Sequence, residues 1–304
     1  MTSVVFPGQG SQSIGMAKDF YDNFKSAKLL FEEIEDHSKI DIKNIIFNQN
    51  DNRLNLTQYT QISIFAASFI IFKTYCSEKN LDLKSINVMM GHSLGEYTAL
   101  ACSNKISLKD CCLILKKRGE LMNDAVAPNK TGMAALIGKD ANTIQDIIDK
   151  NKLKVEIAND NSNIQIVISG SIDEINNSKE TFLNNGIKKF VVLNVSAAFH
   201  SKYMINAQKE LSNEIDNLIF KDNNVKIISN YDSCIYSDTS KIKKNLQNQM
   251  ANRVNWTQSV KKLENNGENK IIEIGPGQVL SGLIKRISNN FDISSINSIS
   301  DIKL

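Results

Sequence analysis

The sequence has few of the residues from which metal centres and disulfide frameworks are built. Its 304 residues include three histidines, scattered along the chain, so a histidine-based metal site is not expected. The cysteines number five and form no C-x-x-C motif, which argues against a disulfide framework and favours a reduced, cytoplasmic compartment. They are interpreted as small core residues: Cys76, Cys102, Cys111, Cys112 and Cys234.

Strong charge and long hydrophobic runs are missing as well. The net charge of +3 is too small to indicate nucleic-acid binding, although it is compatible with an acidic partner. The longest apolar run, residues 62–72, is too short to span a bilayer and predicts a buried helix. No basic segment followed by an apolar one opens the chain, so no signal peptide is predicted. We therefore expect neither a membrane nor a nucleic-acid partner.

Residues 91–95 read G-H-S-L-G, the G-x-S-x-G pattern of a nucleophile elbow. An apolar run at 86–90 predicts a strand before it, and residues 96–102 suit a helix after it. In that context Ser93 lies above a helix N-terminus, where the backbone N–H of Leu94 and the helix dipole can stabilise an oxyanion. The simpler alternative is a glycine-flanked turn with a helix-capping serine.

Strands alternate with helices along the chain, which predicts an α/β fold with a parallel sheet covered on both faces. Outside the middle third, strands are predicted at 2–6, 86–90, 225–229 and 270–274. Helices are predicted at 14–24, 27–36, 58–77, 96–102, 107–125, 201–218, 241–251, 256–265 and from 279 onward. Ser107 and Asp110 form a capping-box pattern at the start of the helix at 107.

The segment from about 131 to 196 has its own order, strand-helix-strand-strand-helix-strand, which is that of a ferredoxin-like unit. Its predicted strands are 133–137, 155–158, 164–169 and 189–195, and its helices are 142–150 and 172–184. We therefore predict a small subdomain at 129–196 inserted into a catalytic subdomain made of 1–128 and 197–304.

A serine nucleophile needs a base, usually histidine, and elimination among three histidines selects His200. His37 lies in an acidic, solvated stretch, and the side chain of His92, the neighbour of Ser93, should point elsewhere. His200 follows a predicted strand and a loop of small residues, the position where a parallel sheet places functional side chains. The alternative is a structural histidine.

Arg118 lies within an apolar stripe of the helix at 107–125. At about 100° per residue, Cys111, Leu115 and Met122 fall on one stripe with Arg118 in its middle. A buried arginine needs a partner, and a guanidinium suits a carboxylate held by two hydrogen bonds. An internal ion pair to an aspartate or glutamate and a snorkelling side chain are the alternatives.

A glycine loop at 6–12, F-P-G-Q-G-S-Q, lies between a predicted strand and a predicted helix. Such a loop offers backbone N–H groups to an anion or oxyanion. Its glycine spacing is not the dinucleotide fingerprint, and no G-K-[ST] follows that would make it a P-loop.

Together these residues resemble malonyl-CoA:acyl carrier protein transacylases, the loading enzymes of fatty-acid synthesis, over essentially the whole chain. The resemblance rests on six ordered blocks: 6–12, 91–95, Arg118-Gly119, Ala198-Phe199-His200, Gln249 ahead of Val254-Asn255-Trp256, and E-I-G-P-G at 273–277. It implies an α/β-hydrolase-like large subdomain with a ferredoxin-like small one inserted.

The resemblance also implies catalytic roles. By position, Ser93 resembles the family nucleophile and His200 its base. Gln249 resembles the residue whose carbonyl orients that histidine in place of a carboxylate, and Gln9 and Leu94 resemble the two backbone donors of the oxyanion hole.

Substrate-binding residues follow in the same way. Arg118 resembles the arginine that binds the free carboxylate of the malonyl group, and Phe199 belongs to a loop that looks like the malonyl-selective version. Asn159 and Asn161 are expected to line the cleft, and His92 receives a supporting role.

The implied reaction is a ping-pong transfer of malonyl from malonyl-CoA to holo acyl carrier protein, with no cofactor and no metal. Acyl carrier proteins are acidic, so exposed basic residues are candidate contacts, although a solvated basic face is the simpler interpretation. The candidates are Lys188, Lys189, Arg253, Lys285 and Arg286. A monomer is expected.

Three rival functions stay open. A serine esterase or thioesterase would share the elbow, but no aspartate or glutamate between Ser93 and His200 suggests itself as a third triad member, and Arg118 would be unexplained. A non-catalytic carrier-binding protein would have no chemical need for these three residues. An acyltransferase for another acyl group is disfavoured by Arg118 and by the loop containing Phe199.

Overall fold

The computed structural model describes residues 1–302 and contains two β-sheets with helices around them. The strands are β1 (Thr2–Phe6), β2 (Ile86–Gly91), β3 (Thr131–Ile137), β4 (Glu156–Ser162), β5 (Gln165–Ser171), β6 (Lys189–Val192), β7 (Lys226–Ile228), β8 (Ile235–Tyr236), β9 (Lys270–Ile274) and β10 (Asp292–Ile296).

Thirteen α-helices pack around these sheets within residues 1–302. They are α1 (Lys18–Asn23), α2 (Lys25–Ser38), α3 (Ile42–Phe47), α4 (Thr57–Glu78), α5 (Leu94–Cys102), α6 (Leu108–Asp124), α7 (Ala141–Asn151), α8 (Ile172–Asn184), α9 (Ile205–Asp216), α10 (Thr239–Gln247), α11 (Trp256–Asn265), α12 (Val279–Ile287) and α13 (Ile299–Ile302).

The large sheet has the order β10-β9-β1-β2-β7-β8 and is parallel except for the β7–β8 pair. Successive residues of β1 belong to opposite cores: Val4 and Phe6 pack in one apolar cluster, and Val5 packs in another. Helices therefore cover both faces, as a parallel sheet requires. The carboxyl ends of β1, β2, β7 and β9 meet at one edge of the sheet, where the site lies.

The small sheet is antiparallel, with the order β4-β5-β3-β6. Its element order along the chain is strand-helix-strand-strand-helix-strand. Its apolar face, which includes Leu136 and Ile168, packs against α7 and α8 in a cluster separate from the two cores of the large sheet. This separate core supports our proposal that 129–196 is a subdomain within 1–128 and 197–304.

One segment joins the two sheets. The backbone at Val254, just before α11, pairs with β4: the Val254 N–H donates to the Ala158 carbonyl at 2.9 Å, and its carbonyl accepts from the Asp160 N–H at 2.9 Å. The Thr257 hydroxyl also donates to the Asp160 carboxylate at 2.6 Å. This junction places β4 beside the carboxyl edge of the large sheet.

The α/β class is confirmed, but several element bounds differ from the sequence expectation. The first helix begins at Lys18 rather than at residue 14, because Gly15 and Ala17 adopt left-handed conformations with φ of 82° and 59°. The predicted helix at 201–218 begins with a 3₁₀ turn at Lys202–Met204. Among the strands and α-helices, the sequence prediction missed four short ones: α3, β8, β10 and α13.

The apolar run at 62–72 is buried within α4, as expected. Among residues 1–302, no helix is both long and apolar enough to cross a membrane. All five cysteines are free; Cys102, Cys111 and Cys112 are buried as predicted, whereas Cys76 and Cys234 are only half-buried.

Candidate active site

The site is built around the turn between β2 and α5. Ser93 has φ 53° and ψ −106°, a strained conformation for a residue with a side chain, and α5 begins at the next residue. A Cβ atom on Gly95 would lie 2.2 Å from the Phe6 carbonyl oxygen, and one on Gly91 would lie 2.0 Å from the Gly95 carbonyl carbon. Gly95 is therefore needed for close packing of the elbow against β1, and Gly91 for the close approach of the end of β2 to the start of α5.

Asn230, at the carboxyl end of β7, holds the elbow from the side. Its Oδ1 accepts a hydrogen bond from the Ser93 backbone N–H at 2.7 Å, and its Nδ2 donates to the Gly91 carbonyl at 2.7 Å. Sequence analysis missed this residue. Its only signal was its place two residues after a strand of the parallel sheet.

His200 lies directly against the serine. Its Nε2 is 2.8 Å from the Ser93 Oγ, and its Nδ1 is 3.1 Å from the carbonyl oxygens of Gln249 and Asn252. Because carbonyl oxygens only accept, Nδ1 carries the hydrogen and Nε2 is free to accept the serine proton. Burial, followed by the positive charge of Arg118 and by His92, lowers the pKa of His200 to about 3.

Arg118 is fully buried and also reaches the serine. Its Nη2 donates to the Ser93 Oγ at 2.9 Å and to the Gln249 Oε1 at 3.0 Å, and its Nη1 donates to the Gln61 Oε1. The guanidinium carbon lies 5.2 Å from the centre of the Tyr97 ring. Burial lowers the pKa of Arg118, because it disfavours the charged form.

Neither alternative for Arg118 fits these contacts. The side chain is 1% exposed, so it does not snorkel. Within residues 1–302 no carboxylate lies within 4.0 Å of its nitrogen atoms. Its partners are neutral oxygens, so the charge is hydrogen-bonded but not neutralised, in a wall of a cavity.

That cavity, of about 290 Å³, lies between the two sheets and contains Ser93, Arg118 and His200 in its lining. Gln9, on the loop after β1, and Leu94 line the same cavity. This loop packs closely on the elbow, since a Cβ on Gly8 would lie 2.4 Å from the His92 carbonyl oxygen. The oxyanion role of the Gln9 and Leu94 N–H groups stays a prediction.

The remaining predicted residues line the cavity as well. The His92 Nε2 lies 2.8 Å from the Asn161 Oδ1 and 3.4 Å from the Asn159 Nδ2, and its ring packs near Trp256 at 5.5 Å. Phe199 is almost fully buried in the cavity wall. The structure therefore brings all nine predicted site residues together: Gln9, Ser93, Leu94, Arg118, Asn159, Asn161, Phe199, His200 and Gln249.

Two further polar residues support this arrangement and carried no signal in the sequence analysis. Gln61 on α4 contacts Arg118, and Glu96 on α5 accepts a hydrogen bond from the Gln249 side chain at 2.7 Å. Burial raises the pKa of Glu96 to about 7. Both are polar residues within largely apolar helices, which sequence analysis does not separate from satisfied core residues.

The arrangement is suited to acyl transfer through serine. A neutral base, His200, and the Arg118 guanidinium both contact the oxygen of the nucleophile Ser93, and Gln9 and Leu94 line the same cavity. An unneutralised guanidinium in the cavity wall can pair with a negatively charged group. Within residues 1–302 there is no cluster of three or more His, Cys, Asp or Glu that could hold a metal ion.

Comparison with known proteins gives consistent matches over the whole chain. The family model described as "Acyl transferase domain" matches residues 4–303. A malonyl CoA-acyl carrier protein transacylase of Bacillus subtilis (strain 168) is 35% identical, over 99% of this chain and 94% of that protein.

Solved structures agree with that match. The chain is similar to an acyl carrier protein S-malonyltransferase from Vibrio cholerae, with TM-score 0.93 and 32% identity, covering 99% of this chain and 98% of that one. It is also similar to a malonyl-transacylase in complex with its type II PKS acyl-carrier protein, with TM-score 0.94 and 31% identity, covering 99% and 97%.

Proposed function

Because the chain belongs to the malonyl CoA-acyl carrier protein transacylases of the acyl transferase domain family, we propose that it transfers malonyl from malonyl-CoA to the phosphopantetheine thiol of acyl carrier protein. The transfer supplies malonyl units for fatty-acid elongation. One observation favours malonyl as the acyl group: the buried Arg118 guanidinium contacts the Ser93 Oγ. In a malonyl thioester a single methylene separates the free carboxylate from the carbonyl carbon, so its anchor must lie next to the nucleophile.

Acylation begins with Ser93 and His200. The His200 Nε2 takes the hydroxyl proton as Oγ attacks the thioester carbonyl carbon, while the carbonyl oxygens of Gln249 and Asn252 keep the ring oriented through Nδ1. The oxyanion of the tetrahedral intermediate is stabilised by the N–H groups of Gln9 and Leu94. The carbon–sulfur bond then breaks, and coenzyme A leaves with the proton from His200.

Deacylation runs the same steps with a different thiol. His200 takes the proton of the carrier's phosphopantetheine thiol, whose sulfur attacks the malonyl ester. The bond between carbon and the Ser93 Oγ breaks, and the serine recovers the proton from His200. Arg118 holds the malonyl carboxylate throughout, and Phe199, Asn159 and Asn161 border the acyl group. This cycle needs only the side chains and the two substrates, so no cofactor is proposed.

Acyl carrier protein is the macromolecular partner. The basic candidates Lys188, Lys189, Arg253, Lys285 and Arg286 are all exposed. Arg286 lies at the cavity, because its Nη1 donates at 2.7 Å to the Oε1 of Gln165, a lining residue. The five free cysteines support our proposal of a reduced, cytoplasmic location. The monomeric state stays a prediction.

An intact-mass experiment tests the proposed function. The protein is incubated with malonyl-CoA, alone and then with holo acyl carrier protein, beside a Ser93→Ala variant. We expect a malonyl adduct that requires Ser93 and moves to the carrier. An adduct lost to water with or without carrier would indicate a thioesterase, and no adduct would indicate a non-catalytic carrier-binding protein.

A further inference from the structure

Glu96 is buried at the centre of the site without touching the reacting atoms. It lies in the first turn of α5, three residues after Ser93, and is 1% exposed. Its Oε2 accepts hydrogen bonds from the Gln249 Nε2 at 2.7 Å and from the Asn230 backbone N–H at 3.0 Å. The proposed chemical steps assign it no part.

The first of these contacts fixes the orientation of the Gln249 amide. Its Nε2 donates to Glu96 and to the Ser93 carbonyl at 3.0 Å, while its Oε1 accepts from the Arg118 Nη2 at 3.0 Å. With Glu96 ionised, a reversed amide would place its oxygen against two acceptors and its NH₂ group against the guanidinium. Three hydrogen bonds would become three repulsions, so the Glu96 carboxyl helps determine which end of Gln249 faces Arg118.

The second contact connects the same oxygen to the nucleophile. Asn230, whose backbone N–H donates to Glu96, holds the Ser93 N–H and the Gly91 carbonyl with its side chain. One carboxylate oxygen is thus linked to Arg118 through Gln249 and to the elbow through Asn230. The relative position of the guanidinium and the serine depends on both links.

We propose that Glu96 is a positioning residue that fixes Arg118 relative to Ser93 and so determines selectivity for acyl groups with a free carboxylate. The proposal rests on the proposed malonyl transfer. A neutral acyl group does not use the guanidinium, so a misplaced Arg118 affects malonyl transfer far more than acetyl transfer. Selectivity between the two donors therefore reports on the position of Arg118 rather than on overall folding.

Steady-state transfer from malonyl-CoA and acetyl-CoA to holo carrier tests this in wild type, Glu96→Ala, Glu96→Asp and Glu96→Gln. For Ala and Asp we expect the malonyl-to-acetyl ratio of kcat/KM to fall by about ten-fold or more, mainly through a higher KM for malonyl-CoA. Asp shortens the side chain and cannot keep both contacts. Gln keeps an acceptor oxygen at the same reach, so the ratio should return to within about three-fold of wild type.

A double-mutant cycle separates positioning from general damage. Gln249→Ala removes the amide but keeps the backbone carbonyl that contacts His200, so Glu96→Ala in that background should change the ratio much less than it does in the wild type, the remaining effect being exerted through Asn230. Glu268→Ala is the matched control, a buried glutamate that accepts from the Ser3 hydroxyl at 2.8 Å near the amino ends of the strands. It should lower stability and leave the ratio unchanged.

The outcomes are distinguishable. No malonyl transfer by the wild-type protein would overturn the proposed function itself. Normal wild-type transfer with an unchanged ratio in Glu96→Asp overturns only the role of Glu96, even if Glu96→Ala does not fold. Additive effects of Glu96→Ala and Gln249→Ala on the ratio would likewise contradict a role exerted through Gln249.

Discussion

Arg118 is the residue in this site whose replacement has the most specific expected effect. Arg118→Ala removes the charged donors that face the cavity and leaves the Ser93–His200 contact in place. Loss of two hydrogen bonds to a charged group should lower kcat/KM for malonyl-CoA by about a hundred-fold, with acetyl-CoA affected much less. Steady-state kinetics with both donors measure this change, and unaltered malonyl transfer would contradict the assignment.

His200 gives an expected pH dependence. Because burial, Arg118 and His92 lower its pKa to about 3, the imidazole stays neutral well below the usual value of 6.5. With acetyl-CoA, whose acyl group does not use Arg118, the rate of Ser93 acylation should therefore change by less than about two-fold between roughly pH 7.5 and pH 5.5, as followed by quenched intact mass. A half-maximal rate near pH 6.5 would contradict this.

The same shift affects stability, with a defined sign. Unfolded His200 titrates near 6.5 and folded His200 near 3, so the unfolded state binds more protons between these values. The contribution of this group to the free energy of unfolding falls as the pH drops through that window.

Arg118→Ala removes a positive neighbour of His200 and should raise its pKa. With a neutral activated ester as the acyl donor, the loss of the Ser93 acylation rate at low pH should therefore move toward neutral pH.

At the scale of elements, the strand-turn-helix unit depends on backbone contact between β1, β2 and α5. Gly95→Ala would place a methyl group 2.2 Å from the Phe6 carbonyl oxygen, so the packed backbone must shift. We expect a loss of about 2 kcal/mol or more in the free energy of unfolding, measured by urea denaturation, together with slower acylation of Ser93.

Gly282 in α12 provides a matched control for Gly95→Ala, because it is also a glycine within a helix. A Cβ there would meet no atom within 4 Å, so Gly282→Ala should leave acylation unchanged and add up to about 1 kcal/mol of stability through helix propensity. Equal effects of the two substitutions would mean that the close approach at the elbow is not the cause.

At the scale of the whole molecule, the cavity between the two sheets opens beside exposed basic residues. Arg286 contacts Gln165 in the cavity lining, and its positive charge should attract an acidic carrier. Raising salt from about 0.05 to about 0.5 M should raise KM for the carrier several-fold, with a smaller salt effect in Arg286→Ala. Steady-state transfer with varied carrier concentration measures both effects.

Lys241→Ala removes an exposed lysine of α10, which does not line the cavity, and serves as the control of equal charge. A saturating malonyl thioester of pantetheine as donor, which lacks the phosphates of coenzyme A, removes the salt dependence of coenzyme A binding from the measurement. A KM for the carrier that does not depend on salt would contradict electrostatic docking.

Much of the fold could be predicted from the local pattern of apolar and polar residues. Period-2 and period-3.6 hydrophobicity gave the α/β class, and α8 and α11 have the predicted bounds because their ends carry caps or sharp changes in pattern. The start of α1, at Lys18 rather than 14, and the end of β6, at Val192 rather than 195, could not be predicted in this way. In α1 the reason is a left-handed backbone at Gly15 and Ala17, which no hydrophobic period reveals.

The candidate site also contains residues that could be predicted from the sequence and residues that could not. Ser93, His200 and Arg118 could be singled out because each breaks a local expectation: a serine between two glycines, a histidine in a chain that has only three, a charge in an apolar stripe. Asn230 and Glu96 break none, and their hydrogen-bond partners are remote in the chain: Ser93 for the Asn230 side chain and Gln249 for Glu96. Such partners are brought together only when the sheet and its helices assemble.

The sequence by itself determined the elements, the elbow and the types of side chain available for acyl transfer, because these depend on neighbouring residues. Only the tertiary structure decided that Arg118 has neutral partners and no ion pair, that the carbonyl of Asn252 joins that of Gln249 beside His200, and that Glu96 connects these groups. The physical reason is burial. Removed from water, each polar group must find a partner, and the partner is supplied by whichever element the fold packs against it.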